Sequence, residues 1–309
     1  MKTPKIIHCF LAKRIKTLVT AFCSSCLLYS AAGQGALTPP GAPAAMMKTL
    51  DQIEPRTPVN TNTAPGSSSA QFVISQPGSY YLTGNIMSAN VSGLNGIEIV
   101  TNNVTLDLNG FSLLAVQNNA SGNNTVHDSA IYLTSNCNYI TVRNGIISGW
   151  GSTGLYAIAS ANDTFEHLTI TGNQWGIDCS GRAIIKDCLV ASNSWNGIAI
   201  VPGSDGSEVI DNEIAGNDTS GNAGGNGGDG ALVVQSSNNR IEGNHITGNS
   251  GNGIVIPSGA PYITDYNNIV IRNSVIGFGA NNYIIVSGND VGPIGIASTS
   301  ASPWANISH

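Results

Sequence analysis

The sequence predicts an all-β solenoid, a right-handed parallel β-helix of about eight coils, and three observations predict it. One frame recurs: IEGNHITGN from Ile241 is echoed by VIDNEIAGN from Val209, IKDCLVASN from Ile185 and FEHLTITGN from Phe165, and more loosely around Asn144 and Asn273. A second register of short strands, usually opening Gly-Ile, keeps step with it at Gly96, Ala130, Gly154, Gly176, Gly197, Gly230, Gly253 and Asn282. Both registers are short, β-branched and alternating, with glycine or asparagine at each bend, so successive side chains point to opposite faces.

Aligned on Asn244, the first register gives Asn144, Leu168, Cys188, Asn212, Asn244 and Asn273, in steps of 24, 20, 24, 32 and 29 residues. A basic period of this length belongs to stacked repeat folds, whose units cannot bury an apolar face alone. Leucine-rich repeats share it, but they would show regularly placed leucines and a helical half. Stacked strands put like residues about 4.8 Å apart. Inward asparagines can then exchange amide hydrogen bonds from coil to coil. The alignment places Asn144, Asn212, Asn244 and Asn273 in such a ladder, and Ile146, Ile170, Val190, Ile214, Ile246 and Val275 in one inward column.

From Phe72 to His309 the chain resembles bacterial right-handed β-helix repeat proteins of the pectin-lyase-like superfamily. The resemblance is carried by FVISQPGSYYLTGNI from Phe72, NGIEIVTNNVTLDLNGFSL from Asn95 and VGPIGIASTSASPWANIS from Val291. It implies the fold. It leaves the activity open among polysaccharide lyases, inverting glycosidases, epimerases and members without known chemistry. No catalytic residue carries over, because the polygalacturonase set of Asn-Thr-Asp, Asp-Asp, Gly-His-Gly and Arg-Ile-Lys is missing, as is a clear lyase arginine motif.

Taken in order, residues 1–32 read as a signal peptide. Lys2, Lys5, Lys13, Arg14 and Lys16 precede an apolar run from Leu18 to Ala32 that ends in small residues. The run is too short and too interrupted by Ser and Cys to predict a stable membrane span. Five of the twelve basic residues leave with this leader, so seven face eighteen acidic residues, a net charge of about −11. That balance excludes nucleic acid as a partner. Of six cysteines, Cys137, Cys179 and Cys188 remain. Cys179 and Cys188 lie in consecutive strands and either pair or fill the interior as free thiols.

Residues 33–70, rich in Pro, Ser, Thr and Asn, read as a linker and N-terminal cap. A helical turn at Met46–Glu54 is placed to cover the open end of the solenoid. Residues 71–309 form the β-helix domain. Insertions at 115–129, 217–229 and 257–267 project from it as loops.

If the ladder residue points inward, its neighbours point out. Those columns collect Arg143, His167, Asp187, Asp211, Glu213 and His245 as candidate catalytic residues. Paired carboxylates there would divide acid and base roles in glycoside hydrolysis. Alternatively they would hold Ca²⁺ against a uronate while Arg143 or a histidine removes a proton. Trp150, Trp175 and Trp195 fall at corners of successive coils, where exposed rings form a sugar-stacking strip and packed rings shield the corner. The expectation is a secreted or periplasmic monomer that binds or processes extracellular polysaccharide, as a lyase or glycoside hydrolase if catalytic. The alternative is a non-catalytic surface, adhesion or structural scaffold.

Overall fold

The structure, a computed structural model, describes residues 55–88, 93–115, 129–135, 137–202, 205–217, 230–257, 266–276 and 281–308. All lie in one compact unit, Glu54–His309. The expected leader, the expected turn at Met46–Glu54 and most of the three expected insertions lie outside the described residues.

Every strand pairing in the described chain is parallel, and the strands fall into sheets of eighteen and nine strands. One coil shows the plan. Trp175–Cys179 belongs to the nine-stranded sheet, and the chain then turns into Ile184–Lys186 and Leu189–Ala191 of the larger sheet before returning as Ile198–Ile200. Each coil thus has three short sides, and the solenoid is a parallel β-helix.

The three bends share one grammar, a residue in the left-handed region followed by one facing inward. At the first bend Asn162, Arg182, Asn238 and Asn267 have φ near 60°; at the second His167, Asp187, Asp211 and Arg272; at the third Gly172, Ser192, Gly216 and Gly248. A single left-handed residue swings the strand direction without leaving a backbone group unpaired, because the groups on either side keep their bonds to adjacent coils. Asn, Asp and Gly suit that position, which is why the bends read as punctuation in the sequence.

The inward residue after each bend builds amide ladders. Asn212, Asn244, Asn273 and Asn306 form one, each Nδ2 donating to the next Oδ1 at 2.9–3.1 Å. Asn173, Asn193, Asn217 and Asn249 form a second, not anticipated from the sequence. Asn239 and Asn268 form a third. Each Oδ1 also accepts a backbone N–H from the coil before, as Asn244 does from Asn212.

Two expected placements are corrected. Asn144 is the left-handed residue of its bend (φ 61°), not a ladder member, and Gly145 takes the position facing Leu168. A one-residue slip in a strand reverses its faces. Ile147 is therefore fully buried opposite Ile170, whereas Ile146 is exposed. The rest of the expected column, Ile170, Val190, Ile214, Ile246 and Val275, is buried in a single core.

The Gly-Ile opening has a steric cause. A Cβ on Gly176 would lie 2.1 Å from the Gly197 carbonyl oxygen of the next coil and 2.6 Å from Val190 Cγ1. Cys137, Cys179 and Cys188 are free thiols buried in the core, the second of the two alternatives. Within the expected linker, Thr57–Pro58 already pairs with Gly78–Tyr81, and Val59 and Ala64 join the core.

Candidate functional site

The expected cluster divides between two adjacent columns of the larger sheet. His167, Asp187 and Asp211 occupy the second bend on consecutive coils. Glu213 and His245 are register partners on the strand that follows. His167 Nε2 lies 4.0 Å from Asp187 Oδ2, and both side chains are about half exposed. Among the described residues no three His, Cys, Asp or Glu side chains are placed to hold one metal ion.

Arg143 does not join this cluster. Its Nε lies 3.3 Å from Asp107 Oδ2, which is also 3.4 Å from Arg56 Nη1, and Asn144 Nδ2 donates to Asp107 Oδ1. The same outward column continues through Glu166 and Lys186, which pair at 3.0 Å. Acidic and basic residues therefore alternate along Asp107, Arg143, Glu166 and Lys186. Arg143 is a link in that stripe rather than a free base.

The three tryptophans separate. Trp150 is buried, ends the second ladder by donating its backbone N–H to Asn173 Oδ1, and bonds the Leu113 carbonyl through Nε1. It stands where later coils carry ladder asparagines, so it fills the interior and cannot contribute to an exposed strip. Trp175 and Trp195 are only half buried and lie outside the core, with ring centroids 4.7 Å apart.

Trp175 opens the strand Trp175–Cys179, and this leads to an arrangement that the sequence reading missed. Along the outer face of the nine-stranded sheet, Glu98, Tyr132, Tyr156 and Asp178 occupy one column on four consecutive coils. Alternation puts them outside, since Ile97 and Ile99, Leu155 and Ala157, and Ile177 and Cys179 on either side are core residues. The tyrosine rings stack, with centroids 5.0 Å apart and planes 10° from parallel. Burial raises the Tyr156 hydroxyl's pKa, and Tyr132 and Asp178 raise it further. Glu98 Oε2 accepts a hydrogen bond from Ser69 at 2.7 Å.

Asp178 is the unusual member. It is 8% exposed, Thr153 Oγ1 donates to its Oδ2 at 3.4 Å, and its Oδ1 has no hydrogen-bond partner. Desolvation pushes its pKa up to about 7, and the Thr153 bond only partly opposes this. Two other buried side-chain atoms without a partner, Asn95 Nδ2 and Ser129 Oγ, also lie at this sheet or its entry. Native structures leave few such atoms, and each calls for an explanation such as an ordered water, an ion or a functional role. The signal was present in the sequence, as the third residue of each strand in the second register.

Comparison with known proteins follows the fold. The family described as "Right handed beta helix region" matches residues 59–224 and 129–291. No curated protein matches the sequence. Among solved structures, the Dettilon tailspike protein is similar at a TM-score of 0.54 and 13% identity, over 67% of this chain and 42% of that one. The DFA-IIIase from Arthrobacter chlorophenolicus A6 without its lid is similar at 0.43 and 11%, over 78% and 71%. The A-module of the mannuronan C-5 epimerase from Azotobacter vinelandii is similar at 0.36 and 11%, over 78% and 79%. The chain spans less than half the length of the two tailspike proteins that head these matches, 42% and 47%. No helix among the described residues is long and apolar enough to cross a membrane.

Proposed function

Because the chain belongs to the right-handed β-helix family, whose coils set outward side chains in straight columns, we propose that it binds carbohydrate on the outer face of its nine-stranded sheet. The observation that carries this reading is the pair of aromatic contacts outside the core, Tyr132 on Tyr156 and Trp175 beside Trp195. Each pair spans two consecutive coils; Tyr156 is the register partner of Asp178, a buried carboxyl with an unpartnered oxygen, and Trp175 opens the strand that carries it. Flat apolar rings beside a few fixed polar groups suit the mixed surface of a sugar. A column repeating every 4.8 Å or so offers a polymer the same contact more than once.

The geometry favours holding a glycan over cleaving it. Acid and base roles in glycoside hydrolysis need carboxyls no more than about 9.5 Å apart. Glu98 and Asp178 are separated by three coil steps, roughly 14 Å. The basic and apolar leader read in residues 1–32 supports action outside the cytoplasm, in the periplasm or beyond it.

A screen of the protein against neutral and acidic polysaccharides, with and without Ca²⁺, tests this by following retention, reducing ends and unsaturated products. Retention without products, weakened in Tyr156→Ala and in Trp175→Ala, is the expected result. Retention that survives both changes, or none at all, would refute it.

A further inference from the structure

Resting on that reading, we infer that the preferred ligand is an amino sugar glycan, whose ammonium groups are received by Glu98 and Asp178 at the two ends of the tyrosine pair. The first ground is the charge of this face. Among the nine strands of the sheet, none contains Lys, Arg or His, and Glu98 and Asp178 are their only carboxylic side chains. The larger sheet differs, since it carries cations beside its carboxylates: Asp107 meets Arg56 and Arg143, Glu166 meets Lys186, and Glu242 meets Arg240 and Arg272, while Glu208, Glu213 and Asp290 share that sheet with these basic residues. The carboxyls of the nine-stranded sheet have hydroxyl neighbours instead, Ser69 for Glu98 and Thr153 for Asp178.

The second ground is Asp178 Oδ1. An acceptor more than nine-tenths buried with no donor is costly until a donor arrives, and the site gains most from a donor that also carries positive charge. The third is the column itself. The facing sides of the two stacked rings cover each other, so only the outer faces, toward Glu98 on one side and Asp178 on the other, are left to attract a cation. A uronate meets the opposite field at both ends. A neutral glycan keeps the stacking and loses the charge-assisted bonds. A lysine-rich peptide would satisfy the carboxyls but leaves the aromatic pairs without a flat partner.

Calorimetric titration with a β-1,4-linked glucosamine oligomer, its fully N-acetylated counterpart, the matching glucose oligomer and a lysine oligomer tests this, run across about pH 5.5 to 7.5 so that the range includes the ionisation of Asp178 at about 7. One charge-assisted bond in place of a neutral one predicts about tenfold tighter binding of the glucosamine oligomer than of the glucose oligomer. That preference should shrink in Glu98→Gln and in Asp178→Asn and disappear when both are changed. It should persist in Glu208→Gln, which removes one negative charge from the other sheet. Equal binding of the three sugars overturns the amino sugar assignment and leaves the glycan site standing. Failure of all three sugars overturns both. Lysine oligomer binding as tight as that of the glucosamine oligomer means that the face reads charge alone, and also overturns the assignment.

Discussion

Replacing Asp163 with Asn should stabilise the protein at neutral pH and make no difference in acid. Asp163 occupies the inward position after the first bend, where later coils carry Ser207, Asn239 and Asn268. It is buried, its Oδ1 accepts the Ile140 N–H at 2.9 Å, and Ser160 Oγ donates to its Oδ2. Desolvation outweighs both bonds and raises its pKa from 3.8 to about 6. Between those values the folded protein binds a proton that the unfolded chain has lost, so stability falls as pH rises through the window and stays low above it. A shift of about two units corresponds to roughly 3 kcal/mol, an upper figure because the surroundings relax. The substitution has a precedent within the molecule. Asn239, three residues after Ser236 as Asp163 is after Ser160, donates Nδ2 to that serine's Oγ at 2.8 Å. An amide introduced by Asp163→Asn can therefore keep both partners without charge. Urea unfolding of the two proteins at about pH 7.5 and about pH 4 should show a gain on the order of 1–3 kcal/mol at the higher pH that shrinks to nearly nothing at the lower. A variant less stable at both pH values, or an advantage that does not shrink in acid, would show that burial does not control this carboxyl.

Three further outcomes follow. Asn244→Ala removes the acceptor of two donors, the backbone N–H and Nδ2 of Asn212, along with Nδ2 bonds to Asn273 and the Val209 carbonyl. Two stranded buried donors should cost about 2–5 kcal/mol in denaturant unfolding, and a loss well under 1 kcal/mol would mean that water replaces the ladder. Gly176→Ala should destabilise by at least about 1–3 kcal/mol through overpacking against the Gly197 carbonyl and Val190, while Gly84→Ala, with nothing within 4 Å, should leave the melting temperature nearly unchanged. Asp211→Asn keeps an exposed side chain that tolerates the left-handed bend, so stability should move by no more than about 0.5 kcal/mol and glycan retention should not change. Loss of retention in that variant would move the site to the second bend.

The fold was legible because its two registers carry separate physical marks: glycine where the next coil's carbonyl leaves no room for a Cβ, and alternating β-branched residues where the core begins. The slip at Asn144 has an equally physical origin. Asparagine suits both the left-handed bend and the amide ladder, so its presence does not say which of two adjacent positions it holds, and the period-two alternation carries the error on to Ile146. Trp150 and Trp175 look alike as corner aromatics. Only the ladder register separates them, by setting Trp150 in line with Asn173. The candidate site was missed because outward columns were read beside the asparagine ladder and not in the Gly-Ile strands, where alternation alone would have lined up Glu98, Tyr132, Tyr156 and Asp178. What no column in the sequence reveals is that Asp178 is buried on an outer face and short of a donor.

Hydrogen exchange of the protein saturated with a retained glycan tests the location of the site most directly. Slowed exchange confined to Asn95–Ile99, Ile131–Leu133, Thr153–Ala157 and Trp175–Cys179 is the predicted footprint. Protection centred instead on Ile184–Lys186, Leu189–Ala191 and Glu213–Ala215, with the nine-stranded sheet unchanged, would contradict it.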